Sequence, residues 1–430
     1  MATKYWVGGA VPIPEVWTLS VSGSWAQDDT ITITVNNKSL TLTLSDNGRL
    51  TTSNIATDLA AMINGNSANG SETRSALGSD VGEFALWSAE ASSSDVVITG
   101  PDDGRPLGTV TTSSSSADTG DTSISETTTG EGPYTWDTAA NWNGAAVPGG
   151  GDDVVFDARA SNGVRYNLNQ DTVTPDNIYI RDTFQYGIGL PAINTDNASL
   201  PFGEYLTQYL TLDGVGAGSG LVHIDNPLGS SVKMDLGDTA TTVVVYGTGV
   251  SVDDQAPACD LKINNASAEL HVLGGDVGLC TQEGSTGEVS QITVGRGSGA
   301  KLTIGGGATA PTLDVAGGSL SSRGDHTTLS ISGGQLHQRD GQITTLNLNG
   351  GNAKIYSADT ISTINMTRGT LDFSVDSRDK TITTINMYSK GTIIDPNGVV
   401  TFSNGINVYG RIQDITLDFP ARRNWSVSSI

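Results

Sequence analysis

Pro311-Thr312-Leu313-Asp314-Val315-Ala316-Gly317-Gly318-Ser319-Leu320 recurs as Thr328-Leu329-Ser330-Ile331-Ser332-Gly333-Gly334-Gln335-Leu336, and again as Thr345-Leu346-Asn347-Leu348-Asn349-Gly350-Gly351. Each copy is an apolar-polar-apolar triplet followed by a glycine turn. Alternation places Leu329 and Ile331 on one face of a strand and Ser330 on the other. Looser copies lie at Thr363–Met366, Thr384–Met387 and Gly405–Gly410, and upstream ones at Glu269–Gly275 and Gln291–Gly295. From Leu270 through Ile292, Leu313, Leu329, Leu346, Ile364 and Ile385 to Ile406, the steps are 22, 21, 16, 17, 18, 21 and 21 residues. A unit this short cannot bury its own apolar side, whereas stacked units join their inward residues into one core. The period suits a coil of about three short strands, and the leucine-rich-repeat pattern is absent. The expected fold is mainly β: a parallel β-helix, or β-solenoid, with a small α+β, β-rich module inserted near the N-terminus.

Working outward, residues 261–430 read as regular coils and a C-terminal cap. Residues 129–260 read as less regular coils, with strands at Val154–Phe156, Asn177–Ile180, Leu221–Ile224 and Thr242–Tyr246 and a protruding loop near 185–210. Residues 12–128 change character. Ile31, Ile33 and Val35 alternate with threonines, and after Asn36-Asn37 so do Leu40, Leu42 and Leu44, which predicts a hairpin. A helix is expected over Ser53–Ile63, where Ile55, Leu59, Met62 and Ile63 share one face. Strands are expected at Phe84–Ser88 and Asp95–Thr99. The Ser/Thr/Gly/Glu tract 111–132 reads as an extended or mobile connection. Tyr5-Trp6-Val7-Gly8-Gly9 at one end of this module and Trp136–Trp142 with Gly151–Phe156 at the other read as one solenoid-starting motif cut in two. Residues 1–11 are then the first part of the solenoid cap.

The 430 residues carry 22 Lys and Arg against 46 Asp and Glu, a formal charge of −24. That field repels phosphate backbones and argues against nucleic-acid binding. Glycine numbers 54, well above the usual share of about 7%. Met1–Trp6 lacks a basic start followed by an apolar run, so no Sec-type signal is expected. No stretch reaches the roughly 18 apolar residues that would span a bilayer, and no membrane association is expected.

Motifs for enzymatic chemistry are missing. No nucleotide-binding loop, Gly-x-Ser-x-Gly elbow or His-Glu-x-x-His helix occurs, and Gly295–Gly299 reads as a turn. His223, His271, His326 and His337 lack metal-ligand spacing and read as surface residues. Gly274-Gly275-Asp276 lacks the nonapeptide period of calcium repeats. Asp314, Asp325, Asp340 and Asp372 sit at different offsets from their strand starts, so they should not align into a glycan-cleaving face. Cys259 and Cys280 are about one coil apart and are expected as reduced, buried thiols in stacked positions. No catalytic residue, cofactor or metal is expected.

The split aromatic motif, the segment Ile188-Gly189-Leu190-Pro191 and the Leu-x-Val-x-Gly-Gly coils together resemble virion-associated β-helical proteins of tailed bacteriophages, the kind that decorate or cement capsids. The module is similar to small β-rich modules that recur in phage structural proteins. The resemblance implies a non-enzymatic capsid decoration protein on the virion exterior. It would be made in the host cytoplasm, bind the major capsid protein or another virion protein, and form a homo-oligomer, with a trimer favoured. A tailspike or fibre that binds or cleaves host glycans and a bacterial surface adhesin are the alternatives. Partner contacts are expected at Arg422, Arg423 and Trp425, where a basic-aromatic patch closes an acidic chain. Others are expected at Phe202, Tyr205 and Tyr209, on the loop leaving the solenoid.

Overall fold

In each repeat Leu, Ile or Val at alternate positions has nowhere to be buried except against the same positions of the coils above and below. A computed structural model shows how this is resolved. It describes residues 2–35, 38–44, 47–66, 84, 87–190, 208–216, 219–251, 256–295, 299–420 and 427–429. The chain winds into a β-solenoid of about 11 turns. Two parallel sheets, of 16 and 12 strands, run its length. The first sheet takes Thr3–Tyr5, Asp153–Phe156, Asn177–Ile180, Gly220–Asp225, Thr241–Gly247 and then one or two strands from each later coil, ending with Ile406–Val408 and Val427–Ser429. The second takes short strands of two to four residues, such as Ser319–Ser322 and Gln335–Gln338, which follow glycine turns.

Register fixes the core. Leu313, Leu329, Leu346, Ile364, Ile385 and Ile406 are directly aligned on successive strands, and all are fully buried. Upstream the same column runs through Val154, Ile178, Val222, Val243, Leu270 and Ile292. Alternation breaks within the longer strands: Thr344 and Thr345 both face away from the core between buried Ile343 and Leu346. The same break recurs at Thr327-Thr328, Ser362-Thr363 and Thr383-Thr384 on the neighbouring strands. At the corner between the sheets the second glycine of each pair is required. Gly318, Gly334 and Gly351 have φ of 68, 74 and 70°, and a Cβ on Gly334 would lie 2.4 Å from the carbonyl oxygen of Gly318. Any side chain would clash with the coil below.

The first turn is closed by aromatics drawn from both sides of the inserted module. Thr3–Tyr5 pairs in parallel with Asp153–Phe156. Trp6, Trp136 and Trp142 are buried beside Phe156 and Phe184, and Trp136 and Trp142 meet edge to face at 4.7 Å. This plug covers the end of the apolar column, which would otherwise face water.

Between these halves, Val16 to Thr128 builds two antiparallel sheets around a separate apolar cluster. Thr30–Val35 pairs with Lys38–Thr43; the tip, Asn36-Asn37, lies outside the described residues. The helix is Thr52–Ile63, capped by Thr51, whose hydroxyl accepts from the Asn54 amide, and it buries Ile55, Leu59, Met62 and Ile63. The strand expected at Phe84–Ser88 instead occupies Ser88–Ser92.

Two expectations are corrected. The tract 111–132 is not a connection: it supplies the strands Val110–Ser115 and Asp121–Thr128, one to each sheet of the module. Its serines and threonines lie on strands with a largely wet face, so low hydrophobicity does not make it loose. Of the segment expected to protrude near 185–210, Gly187–Leu190 belongs to the stack. Ile188 is fully buried and bridges Val164 and Val232, and Leu190 pairs with Gln208. Residues 191–207 lie outside the described residues.

Candidate functional site

On the second sheet, Asp260 sits between inward-facing Cys259 and Leu261, so alternation turns its carboxylate outward. Outward here is not exposed: Asp260 is only 2% accessible. Tyr209, at the start of the strand Leu210–Leu212, donates its phenol hydrogen to Asp260 Oδ2 at 2.6 Å. Thr281, in the turn after Asp276–Leu279, donates to the same oxygen at 2.6 Å. Burial, reinforced by the Asp260 carboxylate, pushes the Tyr209 phenol well above its ordinary pKa, so it remains a donor. The Lys262 ammonium lies over the Tyr209 ring, 4.1 Å from its centroid.

The other carboxylate oxygen, Asp260 Oδ1, is buried and accepts no hydrogen bond among the described residues. Space is left for it because its neighbour in register on the next coil is Gly278, where a Cβ would stand 2.6 Å from that oxygen. On the preceding coil its register partner is Lys233, which is 3% accessible and forms no ion pair among the described residues. A buried carboxylate oxygen without a donor is unfavourable unless something completes it.

Both residues line a groove of about 1280 Å³ that runs along the outer face of the second sheet. Its floor continues from Lys233 and Asp260 to Thr303 and Ser321, and the glycines Gly305–Gly307 and Gly341 keep one wall low. Arg323 and Arg339 supply its other cations. Asp276, Glu283, Asp340 and Asp359 bring the carboxylates, with Asp260, to five against three cations. Arg339 also stacks on Tyr356, 4.2 Å from the ring centroid. No group of three or more His, Cys, Asp or Glu among the described residues is placed to share a metal ion.

Tyr209, expected on a loop leaving the solenoid, is instead packed against the stack and lines the groove. It is 7% accessible, because its ring packs under Lys262 and its hydroxyl is committed to Asp260. Phe202, Tyr205, Arg422, Arg423 and Trp425 lie outside the described residues. The four aspartates weighed for glycan cleavage occupy separate places. Asp314 is on the first sheet, Asp372 on the second, and Asp325 and Asp340 in turns; of the four, Asp340 lines the groove.

Not every histidine is a surface residue. His326 is 2% accessible, with Nδ1 3.0 Å from the Ala310 carbonyl oxygen and Nε2 2.8 Å from the Ser322 hydroxyl. Burial holds its pKa below the usual imidazole value. His271 does face outward, with Nε2 3.3 Å from Glu269 Oε2. Cys259 and Cys280 are both free and buried, but they are not stacked. Cys259 aligns with Val277, while Cys280 follows the strand in the turn. Burial pushes the Cys280 thiol up to about 11.

Sequence reading missed the groove because its members come from separate coils and sit in turns of variable length. The one local signal is Asp260 flanked by inward apolar neighbours on a short strand. No protein-family model matches this chain, and no curated protein matches it.

Proposed function

We propose that this chain is a non-enzymatic structural protein of a tailed-phage virion, which decorates the capsid exterior by binding the major capsid protein or another virion protein. The observation that carries the reading is the unbroken inward column from Val154 to Ile406, closed at its first coil by a tryptophan plug. Each backbone strand is held by parallel pairing to the coils beside it, which makes a stiff rod suited to standing on a particle surface. The module inserted at the plugged end gives that rod a second, independently packed body. The proposed assembly is a homotrimer at a local threefold of the shell.

Quantitative mass spectrometry of purified particles tests the proposal. Copy numbers in the hundreds, comparable with the shell subunits, are expected. A handful of copies per particle would assign the chain to a tail spike or fibre, and absence from particles would overturn a virion role.

A further inference from the structure

We propose that the groove on the second sheet is a binding site for an extended, uncharged polyhydroxylated chain, an oligosaccharide. The starting observation lies at its end: among the described residues Asp260 Oδ1 has no donor and Lys233 has no ion-pair partner, and both residues are nearly inaccessible and line the groove. A sugar diol supplies both missing partners at once, donating to the carboxylate and accepting from the ammonium.

Shape sets the length of the ligand. From Lys233 through Asp260, Asp276, Thr303 and Ser321 to Arg339 and Asp359 the lining follows seven successive coils. At ~4.8 Å per coil that is about 29 Å, the reach of a chain several sugars long. An ammonium, carboxylates, hydroxyls and a guanidinium follow one another along this path, so it offers both donors and acceptors.

Other polymers fit less well. A nucleic acid or other polyanion meets five carboxylates against three cations on a chain of net charge −24. An extended peptide is usually held by adding a strand to a free sheet edge. Here the floor is the face of a sheet whose strands are paired on both sides, so no backbone edge is offered. The lining is too polar for a lipid chain.

The proposal does not depend on attachment to a particle, and it is tested on the isolated full-length protein. Cellohexaose, maltohexaose and chitohexaose are titrated calorimetrically, with a heparin hexasaccharide and an uncharged extended peptide as controls. At least one neutral hexasaccharide is expected to bind saturably, and its disaccharide more weakly. Asp260→Asn is expected to weaken binding about tenfold or more, since it alters a buried charged partner. Ser321→Trp, on the half-buried floor away from the buried pair, is expected to block the groove while leaving the melting temperature near that of the parent. The proposal fails if none of the three hexasaccharides binds at millimolar concentration, or if binding is unchanged in both variants. Binding of the heparin fragment or the peptide alone would also overturn it.

Discussion

Trp6 and Trp142 meet edge to face, with ring centroids 5.1 Å apart, although the whole inserted module lies between them in the chain. The Trp6 indole also donates to the Asn162 carbonyl at 2.7 Å, and the Ala10 amide donates to Asn141 Oδ1 at 2.9 Å. The two halves of the solenoid's first turn are therefore joined by direct contacts. Where the chain leaves for the module and returns, Ile13 and Glu131 exchange backbone hydrogen bonds of 2.7 and 3.0 Å.

Excision follows from that proximity. Replacing residues 14–130 by a short Gly/Ser bridge is expected to leave a soluble solenoid, because the module has its own apolar cluster and its ends already touch. Circular dichroism and thermal melting check this. A deletion product that forms only aggregate would show that the tryptophan plug needs the module to assemble.

Leu346 tests the inward column. It is fully buried between Leu329 and Ile364 in register. Leu346→Ala should destabilise by about 2–5 kcal/mol through lost contact and a residual cavity. Leu346→Asp should be worse, since it buries a charge with no partner. Thr344→Ala, at an exposed position on the same strand, should be close to neutral. Equal denaturant midpoints for Leu346→Ala and Thr344→Ala would contradict the register.

How much of this was legible in sequence depends on how locally each feature is encoded. The column Leu313–Ile406 was readable because every coil repeats the same apolar-polar-apolar-glycine string. The helix was readable because Ile55, Leu59, Met62 and Ile63 keep a 3.6-residue spacing. The second sheet was harder: its strands are two to four residues long, and buried Ser322 and Gln338 stand where an apolar residue would mark the inward face. The strand Asp121–Thr128 was hidden by its own composition, since it exposes most of its side chains. His326 was misread because its partner, Ser322, lies across a turn whose path only the fold reveals. Asp260 and Lys233 become neighbours only through pairing of coils whose lengths vary.

Asn365 tests the outer face of the first sheet. Its amide nitrogen donates to Asn347 Oδ1 at 3.0 Å, and its oxygen accepts from Asn386 Nδ2 at 3.0 Å. Asn407 extends the ladder to Asn386 at 3.1 Å. Asn365→Ala removes two of these bonds and takes away the partner of Asn347 Oδ1 on one side and of Asn386 Nδ2 on the other, both on half-buried residues. A loss of about 1–2 kcal/mol is expected, read as a lower denaturant midpoint with unchanged slope. A neutral result would mean that water replaces the ladder without penalty.

His326 makes stability depend on pH in a direction its geometry fixes. A buried imidazole facing a carbonyl at one nitrogen and a hydroxyl at the other is best satisfied as the neutral ring, with Nδ1–H donating to Ala310 and Nε2 accepting from Ser322. Its folded pKa therefore lies below the ordinary value of 6.5, with burial the leading cause. Between those two values the unfolded chain binds the extra proton and the folded chain does not, so stability rises with pH. The contribution is complete above 6.5 and is lost as pH falls from there through the folded value, at no more than about 1.4 kcal/mol per pH unit. The measurement is the unfolding free energy of the parent minus that of His326→Gln across pH 5 to 8. Glutamine does not titrate, while Glu15, whose pKa burial raises, and the partly buried His337 contribute equally to both proteins and cancel. The difference should be flat above pH 7 and should shrink on acidification. A difference independent of pH over that range would show that the His326 ring is protonated as readily in the folded solenoid as in the unfolded chain.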